Sequence, residues 1–252
     1  MVDNVIFLDL ETTGLNFKRD RIVEIGLVPL KKNGKRGKRF LINPKIPIKK
    51  RAYMVHGISF EDVKGSPYFE DVKDEVLKAL NGNIVVGFNV VNFDIPFLNY
   101  ELFRVGEKAL FNRVIDLKEV AKIVFNEPPN SLYSLAKYLG IKVKKIHRAL
   151  EDAETTRKIF IKLMEIKGEI FEDIRTLESI TFSSYPSKSL QILNLAREYG
   201  LLRIKYFTKF SGIMELEVEP FIILKNIVMV KDGLGNPRKL YIPRIIQISP
   251  LR

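Results

Sequence analysis

Between Val5 and Ile166 short β-branched runs alternate with segments of helical periodicity, and this alternation confines the region to an α/β fold. Val5–Leu10 (VIFLDL), Arg21–Leu30 (RIVEIGLVPL) and Arg39–Ile42 read as strands. Asn33-Gly34 lies in a basic segment that reads as the hairpin connection between the last two. From Phe69 to Leu80 apolar residues fall at 69, 72, 76, 77 and 80, the spacing of one helix face. Ile84–Phe88 returns to strand character, and Asp94–Phe103, Leu117–Phe125, Ser131–Leu139 and Ala149–Ile166 each predict a helix.

The pattern changes near Glu178. Ser179–Ser189 holds five serines, a threonine and a proline, the best linker in the chain. One helix follows, Leu190–Tyr199, and then five strand-like pieces: Leu202–Thr208, Glu215–Leu224, Ile227–Lys231, Arg238–Pro243 and Ile245–Ser249. The expected organisation is an α/β domain over residues 1–175, a linker over 176–187 and a small basic β-barrel over 188–252.

Lys and Arg number 42 against 30 Asp and Glu, a formal net charge of +12, so an acidic partner, with nucleic acid foremost, is expected. The part from Thr176 onward carries 11 basic and 6 acidic residues and is the more basic per residue. The longest run without a charge, Ala79–Phe93, is too short to span a bilayer, and the N-terminus lacks a signal-peptide pattern. The chain has no cysteine, which excludes disulfides, thiolate metal sites and cysteine nucleophiles and fits a cytoplasmic setting. Two glutamines with abundant Lys, Glu and Ile lean towards a thermophilic source.

Asp9 and Glu11 sit two positions apart at the end of a strand, so both side chains leave one face, before Thr12-Thr13-Gly14. Two such carboxylates repel unless a cation joins them; their ordinary reading is a pair of turn-capping acids. Asp94, in GFNVVNFDIPFL, stands where a helix begins and reads equally as an N-cap. Asp152 lies in the first turn of the last long helix, in HRALEDAETT, five residues after His147. His147 is set among Lys142, Lys144, Lys145 and Arg148, where it reads alone as a residue of an exposed basic loop.

Taken in order, these segments resemble the motifs of the DEDDh exonucleases, proofreading-subunit-like enzymes with a ribonuclease H-like fold, over roughly residues 4–166. FLDLETTGL is similar to the first motif, GFNVVNFDIPFL to the second and HRALEDAETT to the third. The resemblance implies a mixed central sheet with flanking helices. It makes Asp9, Glu11, Asp94 and Asp152 ligands of two divalent cations, Mg²⁺ or Mn²⁺, and His147 the general base. Oxygen donors without thiols suit those hard cations, and two ions about 4 Å apart serve an in-line displacement at phosphorus. It further implies substrate contacts at Thr12, Thr13, Gly14, Leu15, Asn89 and Phe93, and at Val55 and His56 in RAYMVHGIS. The pair Phe88-Asn89 departs from the family, whose members often carry a histidine before that asparagine.

The expected substrates are single-stranded or frayed nucleic-acid 3′ ends, with a DNA polymerase or repair complex as the expected partner and no membrane. RNA end trimming is the alternative within the same chemistry. A non-catalytic nucleic-acid-binding or regulatory protein is the alternative of another class. RIKYFT, ELEVEPFIIL and RKLYIPRIIQI faintly resemble WYL domains with their Sm- or SH3-like barrel, although the tryptophan-tyrosine-leucine signature is absent. That resemblance implies accessory nucleic-acid contacts at Arg203, Lys205, Tyr206, Arg238 and Arg244. The basic runs Lys31–Arg39 and Lys49–Arg51 are ordinary solvated surface or further phosphate contacts.

Overall fold

The strand-like runs that open the chain form the centre of a mixed sheet. The computed structural model describes residues 4–31, 37–125, 127–143, 147–208 and 211–251; the Asn33-Gly34 connection lies outside these. Its elements are β1 (Val5–Thr12), β2 (Ile22–Pro29), β3 (Lys38–Leu41), α1 (Lys50–His56), α2 (Phe60–Val63), α3 (Phe69–Leu80), β4 (Ile84–Gly87) and α4 (Asp94–Arg104). Then come β5 (Val114–Asp116), α5 (Leu117–Val124), α6 (Leu132–Tyr138), α7 (Ala149–Ile166), a 3-10 turn at Gly168–Phe171 and α8 (Ile174–Thr181). The chain divides into two units, residues 1–101 with 112–181, and residues 102–111 with 182–252.

In the first unit the sheet order is β3-β2-β1-β4-β5. β1, β2 and β3 pair antiparallel, whereas β1, β4 and β5 pair parallel. Val5 and Phe7 of β1 join one core with Val86, Ile115, Leu117, Leu135, Phe160, Leu163 and Leu177. The Phe7 ring meets Phe160 of α7 edge-on at 5.4 Å between centroids. Burying a side chain of this size contributes about 1.5–3 kcal/mol. The strand's period of two then turns Asp9 and Glu11 to the same face as Val5 and Phe7, the face covered by α7. A register shift between Glu11 and Thr12 ends the regular ladder at the point where the chain turns away.

Four elements of the first unit, α1, α2, β5 and α8, escaped the sequence pattern. α1 buries only His56, so it has no apolar stripe, and β5 is three residues long. The expected linker at 176–187 is corrected in its first half, because α8 runs to Thr181 and buries Leu177. Its hydroxyl residue is consumed locally: the Thr181 Oγ1 donates to the Leu177 carbonyl at 2.9 Å and accepts the Asp116 N–H at 3.0 Å.

The second unit holds α9 (Ser187–Tyr199), β6 (Leu202–Thr208), β7 (Gly212–Ile223), β8 (Ile227–Lys231), β9 (Pro237–Tyr241), a 3-10 turn at Ile242–Arg244 and β10 (Ile245–Pro250). The strands form an antiparallel sheet in the order β10-β6-β7-β8-β9 around a core that includes Ile192, Leu202, Ile204, Val218, Val228, Leu240 and Ile245. β7 serves both β6 and β8, with a register shift between Pro220 and Ile222, where proline cannot donate to a ladder. Of the small Sm- or SH3-like barrel expected here, the described residues show a five-stranded antiparallel sheet with one helix, and no pairing joins β9 to β10 among them. No helix of the described residues is long and apolar enough to cross a membrane.

Candidate active site

Three elements converge on one cleft. β1 supplies Asp9 and Glu11, the first residue of α4 supplies Asp94, and the first turn of α7 supplies Asp152. Ligand-capable atoms of Glu11, His147 and Asp152 lie within 4.8 Å of one another, a group able to hold a metal ion. Burial raises Asp9 well above the usual carboxylate range, and the negative charges of Asp94, Asp152, Glu11 and Glu24 add to it. Burial pushes Glu11 up to about 8, reinforced by Asp152, Glu24 and Asp94. Asp94 is likewise raised by burial, although its carboxylate accepts the Leu10 N–H. Burial also pushes Asp152 up to about 6, against the lowering effect of a hydrogen bond from Tyr133.

Crowded acids of this kind are costly without a positive charge among them. The Oδ1 atoms of Asp94 and Asp152 are buried and accept no hydrogen bond. Four carboxylates, two of them with unused oxygens, fit hard divalent cations, which take oxygen ligands.

Three residues around the acids were missed in the sequence. The Tyr133 hydroxyl donates to Asp152 Oδ2 and accepts the His147 N–H at 2.6 Å, so one side chain of α6 ties the acid to the histidine. The two rings also meet edge-on at 5.0 Å, and His147 adopts a left-handed φ of 56°. Burial lowers the His147 imidazole below its usual range, which favours the neutral form. Glu24 of β2 is fully buried directly opposite Glu11. Its carboxylate accepts from Arg148 at 2.7 Å, from the Ala149 N–H at 2.8 Å and from Arg39 at 3.0 Å, fastening β2 to the start of α7. Asp116 accepts the Asn89 N–H at 2.8 Å and the Val91 N–H at 3.4 Å, fixing the turn that leads to Asp94. Glu24 had a signal, a lone charge in an apolar strand; a tyrosine in an amphipathic helix has none.

The other expected contacts separate into two groups. The side chains of Thr13 and His56 hydrogen-bond inside the protein. Buried Thr13 Oγ1 accepts the Arg21 N–H at 3.0 Å and donates to Asp20 at 3.4 Å. Buried His56 Nδ1 accepts the Ile58 N–H at 3.0 Å, so Nε2 carries the proton and donates to the Thr12 carbonyl at 3.2 Å. Thr12 Oγ1 donates to the Gly14 carbonyl at 2.6 Å, and Gly14 packs on Asp20 too closely for a Cβ. Leu15 and Val55 remain, 85% and 52% exposed. Asn89 holds a left-handed φ of 62°, and Phe93, half-buried, meets Phe97 at 4.9 Å. Phe88, at the position of the family's histidine, packs against the core.

In the second unit, Arg203 and Lys205 are engaged across the strands by Glu217 at 2.9 Å and Glu215 at 3.4 Å. Arg238 pairs with Asp232 at 2.7 Å. Tyr206 is buried, its hydroxyl accepting the Tyr241 N–H at 3.2 Å. Arg244 lies 5.5 Å from the centre of the Tyr241 ring.

The exonuclease family pattern matches residues 6–160. The chain is 36% identical over 238 residues to a DNA polymerase III of PolC type from Caldanaerobacter subterraneus subsp. tengcongensis, covering 91% of this chain and 17% of that protein. It is 35% identical over 227 residues to the 3′-5′ exonuclease DinG of Bacillus subtilis, covering 88% and 24%. It thus spans about a sixth to a quarter of the length of these relatives. With the DNA polymerase III subunit epsilon of Rickettsia conorii it shares 34% identity over 176 residues, covering 66% of this chain and 76% of that one. The fold is similar to exonuclease X in complex with 5′ overhanging duplex DNA, with a TM-score of 0.57 and 24% identity over 70% of this chain and 99% of that one. With the family pattern spanning most of the first unit and carrying all four acids and His147, the chain belongs to the exonuclease family.

Proposed function

We propose that the first unit is a metal-dependent 3′–5′ exonuclease of the DEDDh type that removes nucleotides from DNA 3′ ends. The observation that carries the reading is the meeting of four crowded, proton-retaining acids with a neutral histidine in one cleft. Asp9, Glu11, Asp94 and Asp152 would hold two Mg²⁺ or Mn²⁺ ions, which would supply positive charge at the phosphate and a more acidic water. His147, kept neutral by burial, takes the proton of that water at an imidazole nitrogen. Tyr133 holds the His147 backbone and the Asp152 carboxylate in register while this happens. Leu15 and Val55 offer exposed apolar surface to the terminal nucleoside. The polarity and the DNA substrate rest on the relatives, one named as a 3′-5′ exonuclease and others as DNA polymerase III chains. Association with a polymerase is part of the same reading.

The second unit is read as an accessory nucleic-acid module with a WYL-like sheet, its positive charge gathering substrate. The test is trimming of 5′-labelled oligonucleotides as single-stranded DNA, duplex with a mismatched 3′ end, and RNA. The wild type should shorten the DNA only when Mg²⁺ or Mn²⁺ is added, and Asp152→Asn should not shorten it at all. Wild-type protein that shortens nothing with Mn²⁺ sinks the enzyme reading, and preference for RNA moves it to RNA end trimming. His147→Ala should keep the cation-induced rise in melting temperature yet lose hydrolysis; losing both would make His147 a ligand instead.

A further inference from the structure

We infer that Tyr241, bracketed by Lys239 and Arg244, forms a second nucleic-acid site, a stacking platform for one base of a single-stranded DNA. Four cations of the second unit, Arg203, Lys205, Lys231 and Arg238, each pair with an acid. Lys239 and Arg244 differ. Their contacts are with one aromatic ring, the Lys239 Nζ 4.7 Å and the Arg244 guanidinium carbon 5.5 Å from the Tyr241 centroid, and neither pairs with an acid among the described residues. The ring is 45% exposed, large for an aromatic residue in a strand that carries Leu240 into the core. It is also held firmly: the Tyr241 N–H donates to the hydroxyl of buried Tyr206, and the next residue, Ile242, is buried with its N–H on the Asn226 carbonyl at 2.9 Å.

Both cations lie over the ring of this fixed, exposed tyrosine, so a stacking base takes the place of a cation on the π-face and the displaced cation is left beside the phosphates. An acidic peptide would use the cations and leave the ring idle, so the exposed ring favours DNA. The site stands apart from hydrolysis, and binding measured in EDTA reads it whether or not the first unit cuts.

The experiment uses the full chain in EDTA with a fluorescein-labelled oligothymidylate, reading anisotropy over a range of salt. Tyr241→Ala should weaken binding about 5- to 150-fold, the range for one base–aromatic stack, and Tyr241→Phe should restore it. Lys239→Ala and Arg244→Ala should each reduce the dependence of log affinity on log salt by about one ion. Should Tyr241→Ala fold poorly by circular dichroism, the two cation variants still decide the matter. Unchanged affinity in a folded Tyr241→Ala, or unchanged salt slopes in both cation variants, would overturn the inference. So would polyglutamate displacing the oligonucleotide as well as unlabelled DNA does, since the patch would then be a general anion surface.

Discussion

Raising the pH should destabilise the protein when divalent cations are withheld, and adding them should cancel the effect. Glu11 is pushed up to about 8 from an ordinary 4.5, so from pH 4.5 upward the folded state keeps a proton that the unfolded chain has released. The folded state then binds more protons, and stability falls as the pH rises through that window, by about 1.4 kcal/mol per pH unit for one proton. Between about pH 6 and about pH 8 the loss through Glu11 alone integrates to about 2 kcal/mol, since its own titration ends near the upper limit. Asp152, at about 6, adds a few tenths, and the raised Asp9 and Asp94 act in the same direction. For a chain of this size about 2 kcal/mol corresponds to roughly 5–8 °C in melting temperature.

A cation that binds only the folded state opposes this, contributing about 2.7 kcal/mol at a hundredfold excess over its dissociation constant. Protons compete with it at the same carboxylates, so the cation-induced rise should be larger at pH 8 than at pH 6. Thermal melts in EDTA and in Mn²⁺ across that range provide the assay. Glu11→Gln should make the EDTA profile shallower, leaving the slope contributed by Asp9, Asp94 and Asp152 and by buried Asp116, whose carboxyl is pushed up to about 6 and which the cation does not relieve. A melting temperature in EDTA that stays level or climbs from pH 6 to pH 8 would refute the crowding argument, and with it the case that these acids await a cation.

Tyr133→Phe removes the donor to Asp152 Oδ2, so the Asp152 carboxyl should rise further. The acid limb of the pH–rate profile should then move to higher pH, with about 1–2 kcal/mol of stability lost; an unmoved limb would leave Tyr133 a packing residue only. Glu24→Gln strips the buried countercharge from Arg148 and Arg39 and should cost roughly 3 kcal/mol in urea unfolding, with a loss under 1 kcal/mol counting against the clamp. Gly26→Ala would place a Cβ 2.1 Å from the Ala149 carbonyl oxygen and 2.4 Å from the Leu150 nitrogen, both backbone atoms. It should cost about 1–3 kcal/mol or more and displace the start of α7, abolishing trimming; a stable, active variant would show that α7 can retreat from β2.

The parts of the fold that were legible are those whose residues repeat a period. Phe69–Leu80 and Ala149–Ile166 were read to the residue because their apolar positions follow a helical spacing that burial then satisfies. Ile227–Lys231 was read because it is uniformly apolar to its last residue. α8 was lost because its serine and threonines run into the serine-rich segment that follows, although Thr181 spends its hydroxyl on the Leu177 carbonyl and the Asp116 N–H within the packed unit. Residues 102–111 were assigned to the first domain by chain order, yet they pack with the second unit, where Phe103 stacks on Phe221 at 4.7 Å. Such long-range membership leaves no local trace.

Glu24 shows where a physical reading of sequence could have gone further. In IVEIGLVP every neighbour is apolar, and a carboxylate in such a run is either at an exposed edge or matched by a buried cation. β2 lies between β3 and β1, so an edge is excluded, and a cation had to be sought. Arg148 lies 124 residues away, beside His147, and no local pattern joins it to Glu24. The pairing explains how a left-handed residue at 147 can be held beside the acids. Glu24 fixes Arg148 and Ala149 from below, Tyr133 fixes the His147 N–H from the side, and the first turn of α7 begins between them. The overall charge of +12 has no part in that arrangement: within the cleft the sign is negative, and the cations that matter to its geometry are the two arginines already spent on Glu24.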